Sequence, residues 1–191
     1  VKRRTKVYEN KRERAMRGTV LATLVAAVIT IGVGVAGGGA EALGADAKKG
    51  AEGDAAKEVA TVLDQFHTAA SKADAAGYFG LFAPEAVFLG TDAGERWTVE
   101  EFKAYAMPHF SRGKGWTYRP RDRHVNVLPG GLVAWFDELL DHDSYGVCRG
   151  TGVLRREAAG TPWKVSQYHL TIPVPNDLAA KVVAMIRAPK K

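Results

Sequence analysis

Beyond residue 54 the apolar positions follow two rhythms, first every third or fourth residue and later every second. Val59, Val62, Leu63, Phe66 and Ala70 recur at helical spacing behind Asp54, a residue suited to capping a helix start. Asp74 opens a shorter segment with Tyr78, Phe79, Leu81 and Phe82, which stops before Pro84. EAVFLG follows as a short strand, and TDAG turns it towards ERW. Thr98 and Glu101 then have capping-box spacing, and Phe102, Tyr105, Ala106 and Phe110 form the stripe of a third helix that Pro108 and Gly113 end or kink. From there the turn signals LPGG, DHDS and EAAG divide the chain into four strands, 115–127, 131–141, 145–156 and 162–173. Such short connections imply an antiparallel meander. Asn176 is placed to cap a last helix with Leu178, Val182, Met185 and Ile186. The order predicts an α+β fold: a curved antiparallel sheet of four long strands plus a short hairpin, wrapped around three N-terminal helices, with a short C-terminal helix.

Charge alters the picture at one end only. The 191 residues carry a formal +6, yet residues 1–17 alone hold eight Lys and Arg against Glu9 and Glu13. Beyond Ala47 the balance is 19 basic against 17 acidic residues, so the folded part is nearly neutral and no nucleic-acid partner is expected. Gly18 to Ala40 is uncharged, and A-x-A sites end at Ala42 and Ala47. Residues 1–47 thus read as an export signal, or as a membrane anchor if uncleaved, with 48–53 as a linker and 54–191 as the domain. The expected location is periplasmic or secreted. Val1 suggests an alternative start, with Met16 as a further candidate. GVGVAG (32–37) matches a dinucleotide fingerprint but lacks the strand and helix that give the motif meaning. Cys148 is the only cysteine, so no internal disulfide and no cysteine metal site can form. Asp141, His142 and Asp143 cluster in a turn without a fourth ligand, and neither metal nor cofactor is expected.

Carrying register through even-length turns puts Trp116, Tyr118, Asp122, His124 and Asn126 on one face with Trp135, Asp137 and Leu139, and with Gly146, Cys148, Gly150 and Gly152. The glycines leave room beside Trp135, as a sheet around a cavity requires. Arg119, Arg121, Arg123, Glu138 and Arg149 fall on the opposite face, where Glu138 and Arg149 read as a salt bridge. The last turn leaves the side of His169 open.

The stretches AVFLGTDAGERW (86–97), GKGWTY (113–118), AWFDE (134–138), RGTGVL (149–154) and WKVSQYHLTIPVPND (163–177) make the chain, over about 55–177, resemble the SnoaL-like branch of the nuclear transport factor 2-like superfamily. That resemblance implies a cone-shaped domain with Tyr168 and Leu170 inside. It also implies that Trp163, Val165, Gln167 and His169 lie on the back of the sheet, a surface for a homodimer. Phe66 and Gly90 stand where steroid isomerases of the superfamily carry an oxyanion-stabilising Tyr and a catalytic Asp, so ketosteroid isomerase activity is not expected. SnoaL-type cyclases use an acidic residue on the sheet, for which Asp137 or Asp122 is nearest. The expected function is binding of a small apolar or aromatic ligand by Trp97, Trp116, Tyr118, Trp135 and Tyr168. The alternative is cyclase- or isomerase-type chemistry in which Asp137 pairs with His124 as acid and base, Asp122 standing in for either.

Overall fold

The structure, a computed structural model, describes residues 38–188; the basic and uncharged run before Gly38, where the export signal is read, lies outside the described residues. Helix α1 (Gly38–Ser71) is continuous, so the segment 48–53, expected as a linker, is helical here. Its Ala, Glu and Lys residues are strong helix formers. Asp54 is therefore interior, bonded to Lys57 one turn on (3.1 Å) instead of capping. Ala55, Val59, Leu63, Phe66 and Ala70 form the buried stripe. Asp74 does cap α2 (Ala75–Phe79), accepting from the Gly77 N–H at 2.9 Å. Thr98 and Glu101 close a reciprocal capping box on α3 (Val99–Phe110), which runs through Pro108 and stops two residues later. A last helix, α4 (Ala179–Arg187), starts three residues past Asn176 and has no side-chain cap.

The strands are β1 (Phe82–Leu89), β2 (Arg96–Thr98), β3 (Arg119–Val127), β4 (Val133–His142), β5 (Gly146–Arg155) and β6 (Lys164–Thr171), in sheet order β2-β1-β6-β5-β4-β3. One pairing departs from the antiparallel expectation: β1 runs parallel to β6. The meander leaves one edge of β6 open, and the β1–β2 hairpin docks there. Pro84 falls where the β1–β6 register shifts, a place where its missing N–H costs no regular ladder bond.

Three irregularities decide which side chains enter the cone. In β3 the register shifts between Arg121 and His124, and Asp122 takes a left-handed backbone (φ 49°). One extra residue reverses the parity of everything after it. Pro120 pairs with the inward Leu140, but beyond the bulge it is Val125 that pairs with the buried Phe136, and His124 pairs with the exposed Asp137. The β4–β5 turn holds three residues between the His142–Gly146 pair, not an even number, and Gly146 supplies the positive φ (68°) that this loop needs. Ala134, Phe136, Glu138 and Leu140 consequently share the inner face with Cys148, Gly150, Gly152 and Leu154, while Trp135, Asp137 and Leu139 face out. In β6 a further shift puts Trp163 and Val165 in the core, at 3% and 0% exposure. The expectation that these two lie on the back of the sheet is corrected; Gln167 and His169 do lie there, His169 opposite Thr151.

Candidate functional site

The inner face of the sheet and the helices enclose a cavity of about 290 Å³. Its base is aromatic because α1, α2, β1 and β6 each contribute a ring. Phe66 stacks on Tyr168 (centroids 4.7 Å, 28°), Tyr168 lies parallel to Phe88 (5.6 Å, 12°), and Phe88 stacks on Phe102 (3.9 Å, 14°). Tyr78 packs on Phe66 at 4.5 Å. Burial pushes the Tyr78 and Tyr168 phenols well above their usual range, with the Glu138 charge adding to the shift at Tyr168; both stay protonated at neutral pH. The mouth is formed by Trp97 stacked on Tyr105, by Tyr118, by Tyr145 stacked on His142, and by the β1–β2 loop residues Gly90, Thr91 and Glu95.

One polar group reaches the base. His67, on α1 beside Phe66, lines the cavity and bonds through Nε2 to Glu138 Oε1 at 2.6 Å. Glu138 is 1% exposed, and its other oxygen accepts from Arg123 Nε at 2.7 Å. Arg123 in turn donates to Asp64 Oδ1 (2.7 Å) and to the Ala60 carbonyl (2.9 Å), so the network ties two strands to one face of α1. Burial alone would lower the Arg123 pKa; Glu138 and Asp64 more than offset it and hold the guanidinium above its ordinary value. The Tyr168 hydroxyl and Glu138 Oε1 converge over Gly150, at 2.6 and 3.1 Å from where a Cβ would stand there, which is why position 150 carries no side chain. With Nε2 engaged by Glu138, Nδ1 is the other nitrogen of the His67 ring. An imidazole oriented by a carboxylate is chemically able to take up or deliver a proton.

Trp97, Trp116, Tyr118 and Tyr168, four of the residues expected to touch a ligand, line this cavity; Trp135 does not and is 44% exposed on the outer face. His124 and Asp137 are brought together as direct register partners, but on the outer face, and Asp122 is spent on the bulge, where it pairs with Arg121. The histidine–carboxylate contact that reaches the cavity is instead that of His67 with Glu138. Glu138 faces in and Arg149 out, which corrects their reading as a surface salt bridge. Of the three alternating arginines only Arg119 and Arg121 project together, towards Asp143 and Asp141; the bulge turns Arg123 inward. His67 had a signal in the sequence, since it continues the 63-66-67-70 stripe of α1. Glu138 alternates with Phe136 and Leu140 at period two. Glu95 had none: its carboxylate lies in the space a side chain at Gly90 would fill.

Residues 59–175 match the SnoaL-like domain family. The chain belongs to that family. Solved structures share the fold. A nuclear transport factor 2-like protein of unknown function from Pseudomonas putida is 17% identical, with a TM-score of 0.55 over 65% of this chain and 90% of that one. A domain of unknown function with a cystatin-like fold from Nostoc punctiforme is 13% identical, with a TM-score of 0.54 over 68% of this chain and 83% of its own. No protein of curated function matches this chain. The SnoaL-like match ends before α4, so that helix lies beyond the family segment.

Proposed function

We propose that this SnoaL-like domain binds a small, largely apolar or aromatic molecule in its cavity. The observation that carries the reading is the lining: ten of its eighteen residues are Phe, Tyr or Trp, so the wall rewards ring stacking and burial before hydrogen bonding. The volume is at the lower end of ligand pockets, about 300 Å³, which suits a molecule of one or two rings. Native mass spectrometry of protein recovered from its own host should reveal a retained small molecule, released on denaturation. Trp97→Leu should weaken its retention. An empty protein, with no change in tryptophan fluorescence across neutral one- and two-ring compounds, would sink the reading.

A second reading, isomerase- or cyclase-type proton transfer, is favoured by one observation, the 2.6 Å contact between His67 and Glu138 at the base of the cavity. Its test is exchange of carbon-bound hydrogen of the retained molecule in D2O. The exchange should vanish in His67→Gln and persist in Asp137→Asn. Persistence in His67→Gln would leave binding alone.

Export and pairing enter as further parts of the proposal. The basic run of residues 1–17 and the uncharged stretch after it support an exported domain, released or membrane-anchored. N-terminal sequencing of the mature protein separates the two. A homodimer through the back of the sheet is supported by exposed Trp135 and Val147, at 44% and 45%. Trp135→Asp should then leave a monomer by light scattering, and a wild-type protein that is already monomeric would refute it.

A further inference from the structure

The cavity wall is electrostatically one-sided. Among the described residues Glu95 is its only side chain of fixed charge, and no Lys or Arg lines it. His142 at the mouth accepts the Ser144 and Tyr145 backbone N–H groups on Nδ1, at 3.2 and 3.1 Å, so that nitrogen is already engaged by its own turn. The Glu138 charge at the base is already met by Arg123 from outside the cavity, at 2.7 Å. Glu95 is different. Its Oε2 accepts one backbone N–H, that of Asp92 at 3.1 Å, and among the described residues no cationic side chain pairs with it.

The rings around the mouth add to this asymmetry. Aromatic faces carry the negative end of a quadrupole and attract cations, most strongly where water is excluded. Trp97 and Tyr105 stack at 5.0 Å, and His142 is held at 4.7 Å from both Tyr118 and Tyr145. A wall meant only to be greasy could be aliphatic, yet among the described residues Ala70 and Leu170 are its only aliphatic ones. An anion entering here would lose its water and meet ring faces and a carboxylate, with no Lys or Arg in the wall to receive it.

We propose that the cavity selects an organic cation: a tertiary or quaternary ammonium on a small apolar or aromatic frame, its head against the rings of the mouth beside Glu95 and its body on the stacked base. This rests on the reading that the cavity takes up a small molecule, and deepens it by naming the class. The bare Gly90 serves the assignment, because any side chain there would displace the Glu95 carboxylate from the rim.

Three probes of one shape test it: phenyltrimethylammonium, neutral tert-butylbenzene and benzenesulfonate, titrated into the protein with tryptophan fluorescence and calorimetry as readouts. The cation should bind at least about tenfold more tightly than the neutral probe, and the sulfonate should not bind detectably. Glu95→Gln, which keeps an oxygen for the Asp92 N–H, should cost the cation about fivefold to tenfold in affinity and leave tert-butylbenzene unchanged. If the neutral probe binds as well as the cation, or Glu95→Gln affects both alike, the cation assignment is wrong while the cavity reading stands. If none of the three binds, both fall together.

Discussion

Asp137 and Glu138 are neighbours in sequence on opposite faces of β4, so exchanging each carboxylate for its amide tests the inner face directly. Glu138→Gln keeps the volume and one acceptor but removes the charge from a side chain 1% exposed that joins Arg123 Nε (2.7 Å) and His67 Nε2 (2.6 Å). A hydrogen bond to a charged group contributes about 1.5–3 kcal/mol. Stranding Arg123 completely would cost more, about 3–5 kcal/mol, as for any broken buried pair. It is not stranded, because Asp64 and the Ala60 carbonyl still accept from its Nη1. The expected loss is therefore about 2–3 kcal/mol, a fall in Tm of about 5–10 °C for a chain of this size. Asp137→Asn, on the exposed face, should leave Tm where it is. Urea unfolding followed by circular dichroism measures both, with an unchanged m-value as the sign that only stability has moved. A Glu138→Gln protein as stable as wild type, or an Asp137→Asn protein equally damaged, would mean that β4 is turned the other way.

Three further outcomes follow from the packing. Val165→Asp, which on a back-face location would merely separate a dimer, should instead abolish cooperative unfolding, because Val165 is 0% exposed within the core; a folded monomer by circular dichroism and light scattering would return it to the surface. Gly152→Ala should destabilise more than Gly150→Ala, beyond the usual cost of about 1–3 kcal/mol for overpacking, because its Cβ would collide with the Gln167 carbonyl of the backbone, whereas at 150 it meets the movable tips of Tyr168 and Glu138; equal melting shifts would refute this. The Thr98 backbone N–H, followed by its hydroxyl, holds the Glu101 carboxyl below its usual range. A depressed carboxylate stabilises the fold above its unfolded pKa of about 4.3 and ceases to do so as pH falls through the lower folded value. The melting difference between wild type and Glu101→Gln should therefore be constant above about pH 5 and shrink below about pH 4, and a difference that grew on acidification would overturn the capping-box assignment.

Local grammar was sufficient for most of the elements. Helical spacing announced the buried stripe of α1, Asp74 and the Thr98–Glu101 pair marked the starts of α2 and α3, and the turn signals separated β3, β4, β5 and β6, each set within a few residues by short-range backbone chemistry. The rings at Trp97, Trp116, Tyr118 and Tyr168 could also be named as cavity residues, because they sit in the stretches that carry the family resemblance. Which carboxylate faced the cavity could not be read this way. A strand has a period of two, so one unannounced residue reverses every assignment beyond it, and the Asp122 bulge and the three-residue turn at 143–145 each supply one. Asp137 and His124 were correctly expected to meet and still faced outward; Glu138 took the buried place and found His67, 71 residues earlier, across the cone. Side-chain alternation is a local property that a sequence displays openly. Its phase is set by the pairing of whole strands and by the helix they must cover, and only the folded sheet could decide it.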